Sequence, residues 1–263
     1  MLIKTIIQAR TGSTRLKAKV LRPVLGKPLL QHMIERLSYS KYANDIVIAT
    51  TKNKADDAIV KLSKDLRLPV YRGDEHDVLD RYYRAAKKYK ADIIVRLTSD
   101  CPLIDPRVTD RVIKYYLENV DKYDFVSNMH PPTFPDGLDT EVFPFSTLEK
   151  AWRESKKLYE REHVTPYIWD NPDIFRIGNV YNDKNLYYVE RWTLDYEEDY
   201  LFIKEIFEHL YSKDKVFYME DIHRLLSEKP ELININKKYI GTSWWLNNLE
   251  SLKTKEQIMR TKG

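Results

Sequence analysis

Cysteine is almost missing from this sequence, with Cys101 standing alone among 263 residues. A single thiol cannot close an intrachain bridge, so a disulfide framework is excluded and a reducing compartment is expected. Long apolar runs are missing too. Nothing approaches the ~18 residues of a membrane-spanning helix. The N-terminus reads as a short strand rather than the charged start and apolar core of a signal peptide. A cytoplasmic location with no membrane partner is therefore expected. Neither sign of charge dominates, since 44 Lys+Arg against 40 Asp+Glu leave a net charge of +4 spread along the chain. That tolerates an anionic substrate but lacks the concentrated basic face of a nucleic-acid binder. Glycine is scarce, and neither a Walker A motif nor the three-glycine dinucleotide fingerprint occurs. The chain also lacks internal repeats and low-complexity stretches.

What is present is an alternation of strand and helix patterns. Residues 2–7 form an apolar strand, followed by a helix over 28–38 with Leu29, Leu30, Met33, Ile34 and Leu37 at helical spacing. Strand 45–50, helix 56–66, strand 69–72, helix 78–88, strand 93–97, helix 107–119 and strand 125–127 continue the series. Such units imply an α/β protein, a mainly parallel sheet sandwiched between helices by right-handed crossovers. Residues 128–190 break the rhythm with repeated prolines and read as an inserted excursion carrying substrate and dimer contacts. Strand 190–194 and a helix over 198–211 rejoin the core. Residues 1–228 thus read as a single domain, with 229–263 as a peripheral tail.

Chemistry concentrates first at the end of the first strand. There a small polar loop, Gly12-Ser13-Thr14, is flanked by Arg10, Arg15, Lys17 and Lys19. Backbone N–H groups in a tight turn with several cations make an anion cradle. In open α/β sheets ligands sit at the carboxyl ends of strands, where this loop begins. The alternative is a solvated basic surface, and these residues alone carry the reading to a phosphate-like anion.

Two lone carboxylates occupy similar places. Asp100 lies just past strand 93–97 and Asp195 just past strand 190–194. Together they suit a hard cation such as Mg²⁺, which takes one or two carboxylates and completes its shell with water and phosphate oxygens. Each could instead cap the helix that follows it.

Seven blocks, in one order over about 200 residues, carry a resemblance. They are Gln8-Ala9-Arg10-Thr11-Gly12-Ser13-Thr14-Arg15-Leu16 with Lys19 and Gly26-Lys27-Pro28; Arg72-Gly73-Asp74; Asp77-Val78-Leu79-Asp80-Arg81-Tyr82-Tyr83; Arg96-Leu97-Thr98-Ser99-Asp100-Cys101-Pro102-Leu103-Ile104-Asp105-Pro106; Pro135-Asp136-Gly137-Leu138-Asp139-Thr140-Glu141; Arg161-Glu162-His163-Val164-Thr165-Pro166-Tyr167; and Trp192-Thr193-Leu194-Asp195. The set resembles the nucleotide-sugar cytidylyltransferases, which include the CMP-sialic acid and CMP-Kdo synthetases, and above all their SpsF-type spore coat polysaccharide branch. The resemblance implies a Rossmann-like nucleotide-diphospho-sugar transferase sheet in three α/β/α layers. It implies attack by an acceptor oxygen on the α-phosphorus of CTP with loss of pyrophosphate. Asp100 and Asp195 would hold catalytic Mg²⁺, and Arg10, Arg15 and Lys19 would clamp the triphosphate. The acceptor would be a small molecule, either a sugar acid such as a nonulosonic acid or a small phosphorylated metabolite, and the protein a homodimer.

Further roles are expected within that frame. Arg72 meets the pyrimidine edge or pairs with Asp74 or Asp77; Gln8 and Ala9 offer backbone groups to the cytosine amine, with Ser99 beside the base. Arg81 and Arg96 bind substrate or pair with Asp77, Asp80 or Asp92. Asp136, Asp139, Glu141, Arg161 and His163 face the acceptor, with His163 as a hydrogen-bonding or proton-accepting group. Trp244-Trp245 reads as an exposed pair that anchors packing or a dimer. Three departures stand out. Ala18 replaces the family's glycine and demands a more conventional backbone, Ser99 replaces a second glycine, and Tyr196-Glu197-Glu198-Asp199 replaces Thr-Pro-Glu-Asp. A glycosyltransferase using a nucleotide sugar would show a paired Asp-x-Asp, which Asp100-Cys101-Pro102 lacks. A noncatalytic nucleotide-binding role sits poorly with intact Arg10, Lys19, Asp100 and Asp195.

Overall fold

Ile6 and Ile7 are adjacent, both fully buried, and belong to opposite faces of the sheet. Their strand is covered on both sides, which is why it reads as a continuous apolar run. The computed structural model describes residues 1–255 of the chain. In chain order the strands and helices are β1 (Ile3–Gln8), β2 (Pro23–Val24), β3 (Lys27–Pro28), α1 (Leu29–Leu37), β4 (Ile46–Thr51), α2 (Asp57–Asp65), β5 (Val70–Gly73), α3 (Val78–Lys88), β6 (Ile93–Thr98) and α4 (Pro106–Leu117). They continue as β7 (Phe125–Ser127), β8 (Glu141–Pro144), α5 (Phe145–Glu154), α6 (Leu158–His163), α7 (Pro166–Trp169), β9 (Ile177–Asn179), α8 (Glu197–Leu210) and α9 (Met219–Glu228).

The main sheet runs β5-β4-β1-β6-β8-β7-β9. Strands β5, β4, β1 and β6 are parallel, β8 is antiparallel to both β6 and β7, and β9 is parallel to β7. The mainly parallel, helix-flanked sheet is the expected α/β/α architecture. One core cluster takes Leu29, Met33, Val112, Phe202 and Phe207, and the other takes Leu79, Tyr82, Phe143 and Trp169. Asp105 fixes the start of α4 by accepting N–H bonds from Arg107 and Val108, with Pro106 at the first helical position.

Three segments differ from expectation. The excursion at 128–190 is not outside the sheet, because it supplies β8 and β9. Residues 190–194 are extended but form no strand; their one bridge joins Arg191 to Asp136. The physical reason is that β8 already occupies the edge of β6, so these backbone groups turn to loops. Trp192 N donates to Asp136 O at 2.6 Å and Leu194 N to Asp100 O at 2.8 Å. Residues 229–255 pack onto the domain, burying Leu232, Asn236, Trp245 and Leu252. The remainder of the expected tail, 256–263, lies outside the described residues.

Candidate active site

The carboxyl ends of β1 and β6 lie side by side in the parallel pairing, with Gln8 opposite Thr98. The basic loop leaves the first and Asp100 follows the second. The loop is tied internally by Ala18 N to Thr11 O (3.0 Å) and Ser13 N to Thr11 O (2.9 Å). Asp56, only 1 % exposed, anchors it from the β4 side by accepting from Thr11 N and Thr11 Oγ1, both at 2.7 Å, and from the Thr51 hydroxyl. Nothing in the seven blocks pointed to Asp56.

Ala18 corrects an expectation. Its φ of 50° and ψ of 29° are left-handed, so the chain keeps the backbone a glycine would take and carries the strain of a Cβ. The following turn presents Lys19. Its ammonium lies 3.1 Å from Asp100 Oδ2, 2.8 Å from Asp195 Oδ1 and 2.6 Å from the Leu194 carbonyl. Burial works against that charge, but the two aspartates outweigh it and raise the Lys19 pKa. Arg15 joins Asp195 at 2.6 Å. For Asp195 burial again opposes ionisation, yet Lys19 and Arg15 pull the carboxyl down to about 2. Arg10 reaches toward Glu75 at 3.5 Å, and a Cβ on Gly12 would come within 2.8 Å of a Glu75 oxygen.

Asp195 has no strand behind it; a buried ionic network positions it instead. Arg191, with its side chain 1 % exposed, pairs with Asp136 (2.9 Å), Asp195 (3.2 Å) and Asp199 (2.9 Å). Asp199 also accepts from the N–H groups of Asp195 and Tyr196, and Asn236 donates to it at 3.0 Å. The loop carrying Asp136 reaches this network because residue 137 is glycine. Its φ is +116°, and a Cβ would meet Thr193 N at 2.6 Å. The signal for Arg191 was available, four residues before Asp195 and next to a quoted block, but only tertiary geometry shows that it links Asp136 to Asp195.

Other expected residues separate into two groups. Asp136, Asp139, Glu141 and Arg96 surround the same region, with Arg96 bonded to Glu141 and, at 3.2 Å, to Gln8 Oε1. Asp139 is pushed up to about 7 by burial and by the charge of Asp100. Burial and the neighbouring Asp139 raise Asp136 as well, against the pull of Arg191. Ser99 is 6 % exposed and donates its N–H to Gln8 O, while Ala9 N is held by Ala49 O.

Arg72 and Arg161 do not join them. Arg72 spends its guanidinium on Thr51 O, Asn53 O and Asp57 rather than on Asp74 or Asp77, bracing the loop after β4. Arg161 grips Asp77 at 2.5 and 3.0 Å and donates to Trp152 O at 2.7 Å, joining α6 to the start of α3. The helical turn sends Arg161 and His163 in different directions. Arg81 is 1 % exposed and donates to the Asp74 carbonyl, not to Asp77, Asp80 or Asp92. His163 stacks on Trp244 with ring centroids 3.8 Å apart, and burial with nearby Arg96 and Arg10 lowers it to about 3. Trp244-Trp245 is not exposed; Trp245 is 8 % exposed and Trp244 half-buried.

A doubly flanked, mainly parallel sheet with a cationic loop and facing aspartates at its carboxyl edge defines a nucleotidyltransferase. The model of the cytidylyltransferase family matches residues 5–238, and the chain belongs to that family. An uncharacterized protein of Methanocaldococcus jannaschii is 42 % identical over 241 residues, covering 90 % of this chain and 95 % of the relative. The spore coat polysaccharide biosynthesis protein SpsF of Bacillus subtilis is 32 % identical over 232 residues, covering 86 % and 94 %. A cytidylyltransferase structure from Leptospira borgpetersenii superposes with a TM-score of 0.84 at 35 % identity, covering 92 % of this chain and 98 % of that one.

Proposed function

We propose that the protein transfers CMP from CTP to a sugar acid, releasing pyrophosphate, in the biosynthesis of a surface polysaccharide or glycan, as a cytoplasmic homodimer. The observation that carries the reading is the convergence of Lys19, Asp100 and Asp195 beside the basic loop. The pair of oxygen-only donors fits Mg²⁺, and among the described residues no group of three or more His, Cys, Asp or Glu offers a self-sufficient cage. Asp100 and Asp195 would hold the ion, which would neutralise phosphate charge and make the acceptor oxygen more acidic.

The residues of the chain have the following roles. Arg10, Arg15 and Lys19 grip the triphosphate, with the backbone from Gly12 to Thr14 donating between them. The acceptor oxygen attacks the α-phosphorus, and the bond to the bridging β-phosphate oxygen breaks. The clamp spreads the charge that gathers on pyrophosphate and holds the reactants in line. On the acceptor side Asp139, whose carboxyl pKa is raised by burial, would take the proton leaving the acceptor hydroxyl. Asp136 and Glu141 stay tied to Arg191 and Arg96 and shape the acceptor side.

The test is pyrophosphate release with each of the four ribonucleoside triphosphates, with and without Mg²⁺, against a panel of sugar acids. Release that needs CTP, Mg²⁺ and a sugar acid is expected. No release with any acceptor contradicts the reading. Light scattering checks the dimer.

A further inference from the structure

Residues 242–244 lie beyond the stretch that the family model matches, which ends at 238. Three consecutive residues there touch three groups of the acceptor side. Thr242 Oγ1 accepts from Arg191 Nη1 at 3.3 Å, on the nitrogen that also bonds Asp136. The Ser243 side chain hydrogen-bonds Tyr187, whose hydroxyl lies in the field of Asp136 and Asp139. The Trp244 indole lies nearly parallel to the His163 imidazole, at 15° and 3.8 Å. The segment is held in place from both sides. Gly241, at a φ of +76°, turns against the Tyr188 ring, and Trp245 and Leu252 are buried in the second core cluster.

We propose that this segment is a wall of the acceptor subsite and that Trp244 is a positioning residue, fixing the His163 ring so that its nitrogens meet acceptor hydroxyls. The inference rests on the proposed sugar-acid acceptor. Flat stacking covers one face of the imidazole and resists rotation about the histidine side chain, while leaving the ring edge free. Among the described residues no protein group hydrogen-bonds either ring nitrogen of His163, so the edge is open to a ligand. Tyr187 and Ser243 extend the same polar rim toward Asp139.

The test uses the full chain, with CTP and 3-deoxy-manno-octulosonate as the probe acceptor. KM is measured for each substrate alongside the melting temperature. The His163 ring-proton resonance is followed by NMR and assigned by comparison with His163→Gln. Trp244→Ala is expected to raise the acceptor KM at least tenfold and leave the CTP KM within twofold. It should also shift the His163 resonance downfield as the indole ring current is lost, and Trp244→Phe should restore both the acceptor KM and the resonance. Unchanged KM values, or equal rises in both, overturn the proposal. A wild type that uses neither this acceptor nor any other sugar acid of the panel counts against the reading of function instead. The resonance then decides alone: one indifferent to Trp244→Ala overturns the proposal, and one moved by the sugar acid only when Trp244 is present supports it.

Discussion

Arg191→Met removes the cation at the centre of the buried network while keeping a chain of similar length. Arg191 touches three carboxylates with its side chain 1 % exposed. Breaking a buried pair by deleting one partner costs about 3–5 kcal/mol, since a charge is left without compensation. Two of the three keep other partners. Asp195 retains Lys19 and Arg15, and Asp199 retains two N–H groups and Asn236. Asp136 loses its ion pair, so the lower end, about 3 kcal/mol, applies. At ~2–4 °C per kcal/mol for a domain of this size, the melting temperature should fall by about 6–12 °C. The loss should reach catalysis as well, because Asp195 is aimed by this guanidinium. A drop in kcat of about 10–100-fold is expected, the usual effect of removing a group that orients a metal ligand. Calorimetry and pyrophosphate release at a temperature where both proteins are folded measure the two effects. A melting point within about 2 °C of wild type would refute the energetic argument. A large drop in melting point with unchanged kcat would show that Arg191 holds the fold without aiming Asp195.

Ala18→Gly should raise stability by about 0.5–1 kcal/mol, because ~1–2 kcal/mol of left-handed strain is relieved against about 0.5–1 of added chain entropy. Ala18→Val should lower it, and denaturant unfolding that ranks the two the other way would contradict the backbone reading. Acid stability follows from two histidines that burial lowers to about 3, His130 and His163. Unfolding lets each take a proton at its ordinary pKa of ~6.5, so each histidine's contribution is full above pH ~6.5 and is lost as pH drops from there toward 3, while the raised Asp136 and Asp139 carboxyls act in the opposite sense. One proton corresponds to about 1.4 kcal/mol per pH unit, so the slope of His163→Gln should differ from that of wild type by that amount. An equal slope in that variant would show that His163 is not held neutral.

Much of the fold was legible because its local signals agree with its tertiary use. Strand 93–97 reads as an apolar run because β6 is buried on both faces, and α1 shows helical spacing because one face packs on the core. The site was legible where chemistry sits in short contiguous blocks, as in Arg10 to Lys19 and in Ser99-Asp100. Elsewhere the governing fact was a long-range contact. Residues 190–194 have a strand's composition, but the edge they would need belongs to β8. Arg72 and Arg161 look like substrate ligands in sequence, and only packing shows Asp57 and Asp77 taking up their charges. Asp56 and Asp199 are ordinary acidic residues until burial makes each the acceptor for several N–H or O–H groups.

The anion cradle at the end of the first strand is only part of the machinery; the account stands on its facing aspartates. Asp100→Asn, assayed for pyrophosphate release with CTP, Mg²⁺ and the sugar acid that the wild type uses, tests this most directly. The expected result is a loss of about 10²–10³ in kcat, the scale of a deleted charge-stabilising group, with a melting temperature close to wild type. Wild-type turnover in that variant would contradict the central claim.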